Sequence, residues 1–215
     1  MNTKIIVFSA AAICSYLGSV DLAKAEGELS YNLGAVSHYL WRGFDLNAGA
    51  IALQGGLDYE DSSGFYAGAW ASQYDFGDDD DGAEIDLYLG YSLELNDTFG
   101  LDFSVTNYQY TGDSGDSTEL KVGLVTELFE INYHRDFDLK TDYLELNGSY
   151  ALNAELSLGG HFGVNDDGEE NNYDYALTLN YLLNETTTIS GGYSDHELDE
   201  EGAEGTFFIG VLATF

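Results

Sequence analysis

The chain has 215 residues and a formal net charge of −33, with 6 Lys+Arg against 39 Asp+Glu, 26 Gly, no Pro, one Cys and 14% aromatic residues. That acidity argues against nucleic acid as a partner, because phosphate contact needs clustered Lys and Arg. A single cysteine rules out a disulfide framework or a zinc finger, and the aromatic content argues against disorder despite the charge.

In chain order, Lys4 precedes an apolar run from Ile5 to Val20, and Ala23-Lys24-Ala25 puts small residues at the two positions a signal peptidase reads. The pattern predicts a secretory signal peptide over residues 1–25, cut between Ala25 and Glu26. An uncleaved helical anchor fits less well, because Ser9, Ser15 and Gly18 interrupt a short run. Cys14 follows Ile13, where a lipoprotein signal would carry a small residue. The remaining residues, 26–215, read as one domain without cysteine, and their only Lys and Arg residues are Arg42, Lys121, Arg135 and Lys140. The absence of thiols suits an exported chain.

From Leu29 onward the period is two. Leu29, Tyr31, Leu33, Ala35, Tyr39 and Trp41 share one parity, as do Ile51, Leu53, Leu57 and Tyr59. Phe65 to Phe76 is strand-like but ambiguous in face, with Tyr66, Trp70 and Tyr74 opposing Phe65 and three Ala. The clearest run is Ile85, Leu87, Leu89, Tyr91, Leu93 and Leu95, followed by Phe99 to Val105, Leu120 to Leu124 and Phe129 to Tyr133. Leu144 to Leu152, Leu156 to Val164, Tyr173 to Tyr181, Ile189 to Tyr193 and Phe207 to Phe215 complete the series. Strict alternation puts one face of each strand in an apolar medium and the other in a polar one.

The connections alternate in length. Short ones fall at 61–63, 96–98, 128, 153 and 184–185; longer, more polar ones at 45–49, 75–83, 111–117, 136–142, 165–172 and 195–203. Short turns at one end and long loops at the other predict an all-β, transmembrane, antiparallel up-and-down β-barrel of about twelve strands, with both termini periplasmic. At about 9–11 residues per spanning strand, twelve strands leave roughly 70 residues for connections and sixteen leave roughly 30, too few for these loops. A soluble β-sandwich or small-ligand barrel also alternates. It would have to pack the whole apolar face into a limited interior, whereas lipid sets no such limit.

Val36-Ser37-His38-Tyr39 with Arg42-Gly43, then Leu53-Gln54-Gly55-Gly56-Leu57-Asp58-Tyr59, then Ser63-Gly64-Phe65-Tyr66-Ala67-Gly68 with Trp70-Ala71-Ser72, resemble the TorF family of porins. This is the Gcw_chp domain family of proteobacterial outer-membrane proteins. Glu84-Ile85-Asp86-Leu87-Tyr88 with Gly90-Tyr91 continues the match, which is strongest over residues 30–95. The resemblance implies an outer-membrane location and a porin fold, and brings no catalytic residues. The ending from Gly210 to Phe215, with its terminal aromatic, resembles the strand signal read by the barrel assembly machinery, although Ala213 stands where a larger apolar residue is usual.

If the apolar parity faces lipid, the other faces the lumen. That places Asp58, Asp86, Asp102, Glu119, Glu145 and Asp174 inward, with Arg42, Lys121, His38 and His161. A net negative wall favours cations at close range. The expectation is a narrow, cation-preferring or neutral-solute diffusion channel without cofactor or metal. The alternative is a barrel plugged by pairing among these charges, acting as an adhesin through its acidic loops. The run Asp78 to Asp81 does not fit an EF-hand loop, because Gly77 takes the first ligand position, and Asn165 to Gly168 fails similarly. Loose divalent binding, bridging to lipopolysaccharide, is the remaining reading of these loops. Ser194 and His196 are the residues a rim hydrolase would use, but Asp195 has the wrong parity to orient that His. Expected partners are outer-membrane lipid and lipopolysaccharide, the assembly machinery and a further copy of the chain in a homo-oligomer.

Overall fold

The computed structural model describes residues 27–77, 80–197 and 205–215. The predicted signal segment, with Ala23, Ala25 and Glu26 at its cut site, lies outside the described residues, as do Asp78 and Asp79. The strands in chain order are β1 (Glu28–Val36), β2 (Leu40–Trp41), β3 (Phe44–Asp45), β4 (Ala52–Glu60), β5 (Phe65–Asp75), β6 (Asp81–Glu94) and β7 (Gly100–Tyr110). They continue as β8 (Ser117–Val125), β9 (Phe129–Asp136), β10 (Asp142–Ala151), β11 (Leu156–Asp166), β12 (Asn171–Asn184), β13 (Thr187–Glu197) and β14 (Thr206–Thr214). All but β2 and β3 form one closed antiparallel barrel in which each strand pairs with its neighbours in order and β1 pairs with β14. Closure leaves no unpaired strand edge, which is what a bilayer requires of a spanning sheet.

The seam is made by the last residues. Asn32 lies opposite Thr214 and Val36 opposite Gly210. Tyr31 and Phe215 exchange backbone hydrogen bonds at 3.1 and 2.9 Å, and their rings stack with centroids 5.2 Å apart. The terminal aromatic therefore closes the barrel through both its backbone and its ring.

Each short turn opens with a side chain that caps the backbone. The Oδ1 atoms of Asp61, Asn96, Asn153 and Asn184 accept from amides two or three residues on, at 2.8–3.2 Å. Thr126 Oγ1 does the same toward Leu128 and Phe129. These turns tighten because the side chain supplies the acceptor that a longer loop would find in water. They share one end of the barrel with Gly27 and Phe215, the first and last described residues.

The outer surface is the apolar parity. Leu33, Leu53, Leu89, Leu146, Leu177 and Ile209 are all about half exposed or more. β5 resolves its ambiguity by turning Trp70, Ser72 and Tyr74 into the barrel and leaving Phe65 outside. Bulk on this strand is spent on the lumen, and alanines take the lipid face.

One element departs from the alternation. The first strand ends at Val36 instead of running on to Trp41, and Tyr39 and Leu40 are buried at 3% and 4% exposure. The loop is 37–51, longer than the 45–49 read from the sequence, and carries the β2–β3 hairpin. Arg42 and Gly43 form its two-residue turn with φ of 48° and 84°, the left-handed pair that tight hairpins require.

Candidate functional site in the barrel lumen

The hairpin folds into the lumen near the long-loop end. Tyr39 packs on Trp70 at 5.6 Å between ring centroids, within a cluster that includes Val36 and Ala52. Leu46 ties the returning chain to the wall, donating its amide to Tyr39 and accepting from Asp75 at 2.7 and 2.9 Å. At the tip, Arg42 reaches β8 and donates to Glu119 Oε2 at 2.6 Å. Its guanidinium lies 3.9 Å from the ring centroid of Tyr143 on β10 and 4.3 Å from that of Trp41. Gly43 abuts β12 and β13: a Cβ there would stand 2.6 Å from the Cβ of His196 and 3.1 Å from that of Asp174. Glycine is required twice over, by φ and by space.

Around this tip the wall is a connected set of charges. His134 Nδ1 lies 2.7 Å from Glu119 and its Nε2 3.2 Å from Glu145, contacts that a ring protonated on both nitrogens satisfies together. Asn132 donates to Glu145 at 2.9 Å and to Glu130 at 3.1 Å, and Asn147 donates to Glu130 at 3.1 Å. His161 Nε2 lies 2.6 Å from Asp174, which also accepts from Tyr143 at 2.9 Å. Lys121 pairs with Asp102 at 2.8 Å, and Asp102 accepts from Tyr66 and Ser92 at 2.9 and 2.7 Å. Such pairing is what lets several carboxylates remain ionised in a partly dry interior.

Of the sequence-assigned residues, Asp86, Asp102, Glu119, Lys121, Glu145 and Asp174 are buried inward-facing residues of the wall. His161 is inward and less buried, and Asp58 accepts from the inward Tyr88 hydroxyl. Arg42 and His38 arrive differently, on the loop rather than on a spanning strand. His38 lies beside Ser37, its Nδ1 3.1 Å from the Ser37 hydroxyl oxygen. The structure brings Arg42, Glu119, Glu145, His161 and Asp174 into one network and leaves Asp58, Asp86 and His38 outside it.

Among the buried inward acids and bases not assigned to the lumen from the sequence are Glu84, Glu130, His134 and Asp136. Their signal was the same period of two. Glu130, Asn132 and His134 alternate with Phe129, Ile131 and Tyr133 on β9, and Glu84 precedes Asp86 by two on β6.

Ser194 and His196 both face inward. The His196 ring lies against Phe44 of the hairpin at 4.6 Å. Asp195, on the opposite face, accepts from Tyr175 and Tyr193, each at 2.9 Å. The acid is thus committed to the outer face and away from the serine. In the acidic run, Asp80 serves as a loop tie, accepting from Tyr74 and the Asp113 amide, both at 3.1 Å, and from the Ser114 hydroxyl. The hydroxyl bond from Ser114 leads the set that holds its carboxyl below the usual carboxylate range.

A closed twelve-stranded barrel with an apolar exterior and a charged interior defines the class: a transmembrane β-barrel of porin architecture. The family described as "Bacterial protein of unknown function (Gcw_chp)" matches residues 22–211, and the chain belongs to it. No curated protein matches the sequence. Among solved structures the fold is similar to the KdgM porin at 13% identity and a TM-score of 0.65, covering 86% of this chain and 99% of that one. It is similar to the NanC porin at 15% identity and a TM-score of 0.59, covering 86% and 99%. It is also similar to the COG4313 outer membrane channel from Pseudomonas putida F1 at 13% identity and a TM-score of 0.55, covering 92% and 100%. At these identities the likeness is one of fold.

Proposed function

We propose that this protein is a porin-like channel of the bacterial outer membrane, passing small cationic or neutral solutes by diffusion, with both termini periplasmic. The observation that carries the reading is the closed barrel with leucine-rich outer faces around a wall of ionisable and hydroxyl side chains. Twelve strands make a bore narrower than that of larger porins, and the hairpin at 37–51 narrows it further. Inward carboxylates outnumber Arg42, Lys121, His134 and His161, which favours cations. The porin and channel neighbours support passive transport over chemistry. One KdgM structure is described as a complex with oligogalacturonate, a polyanion. An acidic lining disfavours that class, so the solute does not follow from the fold. The short capped turns beside both termini support their periplasmic placement. The seam formed by Gly210 and Phe215 suits recognition by the assembly machinery.

Single-channel recording of the purified protein tests this reading, together with swelling of liposomes in neutral sugars of graded size. Discrete conductance steps and a sharp size cut-off are expected; a folded barrel that gives neither overturns it. The second reading is a plugged barrel acting through its acidic loops. The pinned hairpin favours it, with Arg42 held by Glu119 and stacked on Tyr143. A silent protein with heat-modifiable gel mobility is its signature.

A further inference from the structure

Beyond residue 25 the only Lys and Arg residues are Arg42, Lys121, Arg135 and Lys140. Arg42 and Lys121 are in the lumen, paired with Glu119 and Asp102. Arg135 and Lys140 lie on one hairpin, the β9–β10 connection at the long-loop end. All the Lys and Arg charge of the barrel exterior is thus gathered between residues 135 and 140 of an otherwise acidic surface. Arg135 has the outward parity of Phe129, Ile131 and Tyr133, and Lys140 is exposed. In register Arg135 stands between Leu120 of β8 and Asp142 of β10, and two residues back Tyr133 stands opposite Leu144. On this face the apolar outer surface gives way to charge between those two pairs, as it does where hydrocarbon meets headgroups.

Past that boundary Phe137 and Leu139 are exposed at 54% and 61%. The backbone that carries them is tied down. Asp136 Oδ1 accepts from the amides of Asp138 and Leu139 at 2.9 and 2.7 Å, and Phe137 donates its amide to the Thr118 carbonyl at 3.1 Å. The local acids already have donors. Asp142 Oδ2 accepts from Arg135 Nη1 at 2.6 Å and its Oδ1 from the Tyr133 hydroxyl, and Asp138 accepts from the Thr118 amide at 2.9 Å. Arg135 bonds only through Nη1, to Asp142 and the Lys140 carbonyl, and Lys140 forms no ion pair among the described residues. Its ammonium and the Nε and Nη2 of Arg135 remain for an anion, and a guanidinium beside an ammonium suits a phosphate group. Leu120, Tyr133 and Leu144 on one side and Phe137 and Leu139 on the other flank these donors with apolar surface, which an amphiphile requires and a free ion does not.

We propose that the β9–β10 hairpin is a binding site for lipopolysaccharide. Arg135 and Lys140 hold a phosphate of its lipid anchor, the acyl chains run along Leu120, Tyr133 and Leu144, and Phe137 and Leu139 meet the apolar faces of its sugars. The assignment rests on the reading above that the termini are periplasmic and the long loops extracellular; it does not depend on whether the lumen conducts.

The test uses the full protein purified from membranes into detergent, with bisphosphorylated lipid A and its dephosphorylated form as probes and native mass spectrometry to follow bound lipid. Wild type should bind the bisphosphorylated form about tenfold or more tightly, and Lys140→Gln and Arg135→Gln should each weaken that binding by about fivefold, the effect of one base at an anionic lipid surface. Heat-modifiable mobility verifies that each variant folds, and Lys140→Gln, which breaks no ion pair among the described residues, decides the matter if Arg135→Gln does not. Equal binding of the two lipids, or equal binding by wild type and Lys140→Gln, overturns the site. Displacement by millimolar inorganic phosphate also overturns it, and means a site for a free anion. So does loss of binding in EDTA without an effect of either variant, which means that the acidic loops hold the lipid through divalent cations. Orientation is read separately, by labelling Leu139→Cys on intact cells with a membrane-impermeant maleimide; the only other cysteine is Cys14. Labelling without phosphate-dependent binding defeats the site alone. Binding without labelling puts the hairpin on the periplasmic side, and defeats the lipopolysaccharide assignment together with the placement of the termini.

Discussion

On strands β8 to β12 most inward acids meet a base, while Glu130 is held by Asn132 and Asn147. Glu119 meets Arg42 and His134, Glu145 meets His134, Asp174 meets His161, and nearby Asp102 meets Lys121. On β6, by contrast, Glu84 and Asp86 stand among Ser72, Trp70, Tyr108 and Tyr110, held by tyrosine hydroxyls and by each other rather than by a base. The two regions use the same acids on the same kind of strand. What separates them is where the few bases fall, and the hairpin delivers one of those bases, Arg42, to the first region. An acid on the paired wall is held by a base; the acids of β6 are held by hydroxyls and by each other.

The comparison presupposes that the faces are assigned correctly, and reversing one is the coarsest way to break it. Leu89→Arg puts a charge on the lipid face in the middle of β6, at a cost of about 2–4 kcal/mol. Heat-modifiable mobility should be lost, and normal insertion would mean that this face meets water. Next is the paired wall itself. Arg42→Ala should destabilise the barrel by about 2 kcal/mol, at the low side for a buried pair because His134 still faces Glu119. Thermal unfolding in detergent measures this, and larger conductance steps should accompany it as the hairpin loosens. Gly43→Ala acts on the same hairpin through the backbone, at about 1–2 kcal/mol for a left-handed alanine, with the crowding at His196 in addition. An unchanged melting temperature would mean the hairpin does not dock as described. The smallest stability effect sharpens the contrast: Asp86→Asn removes a buried acid that faces no base and should leave the melting temperature unchanged or raised. Asp102→Asn removes the carboxylate 2.8 Å from the Lys121 ammonium and should cost more. Equal melts for the two variants would erase the distinction between the walls.

The barrel was legible in the sequence because lipid and water impose opposite demands on neighbouring residues. The run Ile85 to Leu95 against Glu84 to Glu94 records them one by one. The short turns were legible for a related reason: Asp61, Asn96, Asn153 and Asn184 carry their own caps. The in-folded hairpin was not. Tyr39 and Trp41 keep the outward parity of β1, and parity says nothing about where a strand leaves the sheet. Arg42-Gly43 was the available sign, a dipeptide whose glycine permits the tight turn. The charge network was half legible. Period two gives the face of each acid, but which acid meets which base depends on register between strands, as in Glu119 reaching Arg42 from 77 residues away.

The most direct measurement is the reversal potential of the protein in a planar bilayer under a KCl gradient, for wild type and for Glu84→Gln/Asp86→Asn. An acidic lumen predicts a potential on the cation side for wild type, moving toward zero in the double variant. A potential on the anion side, or one that the double variant leaves where it was, would contradict the account.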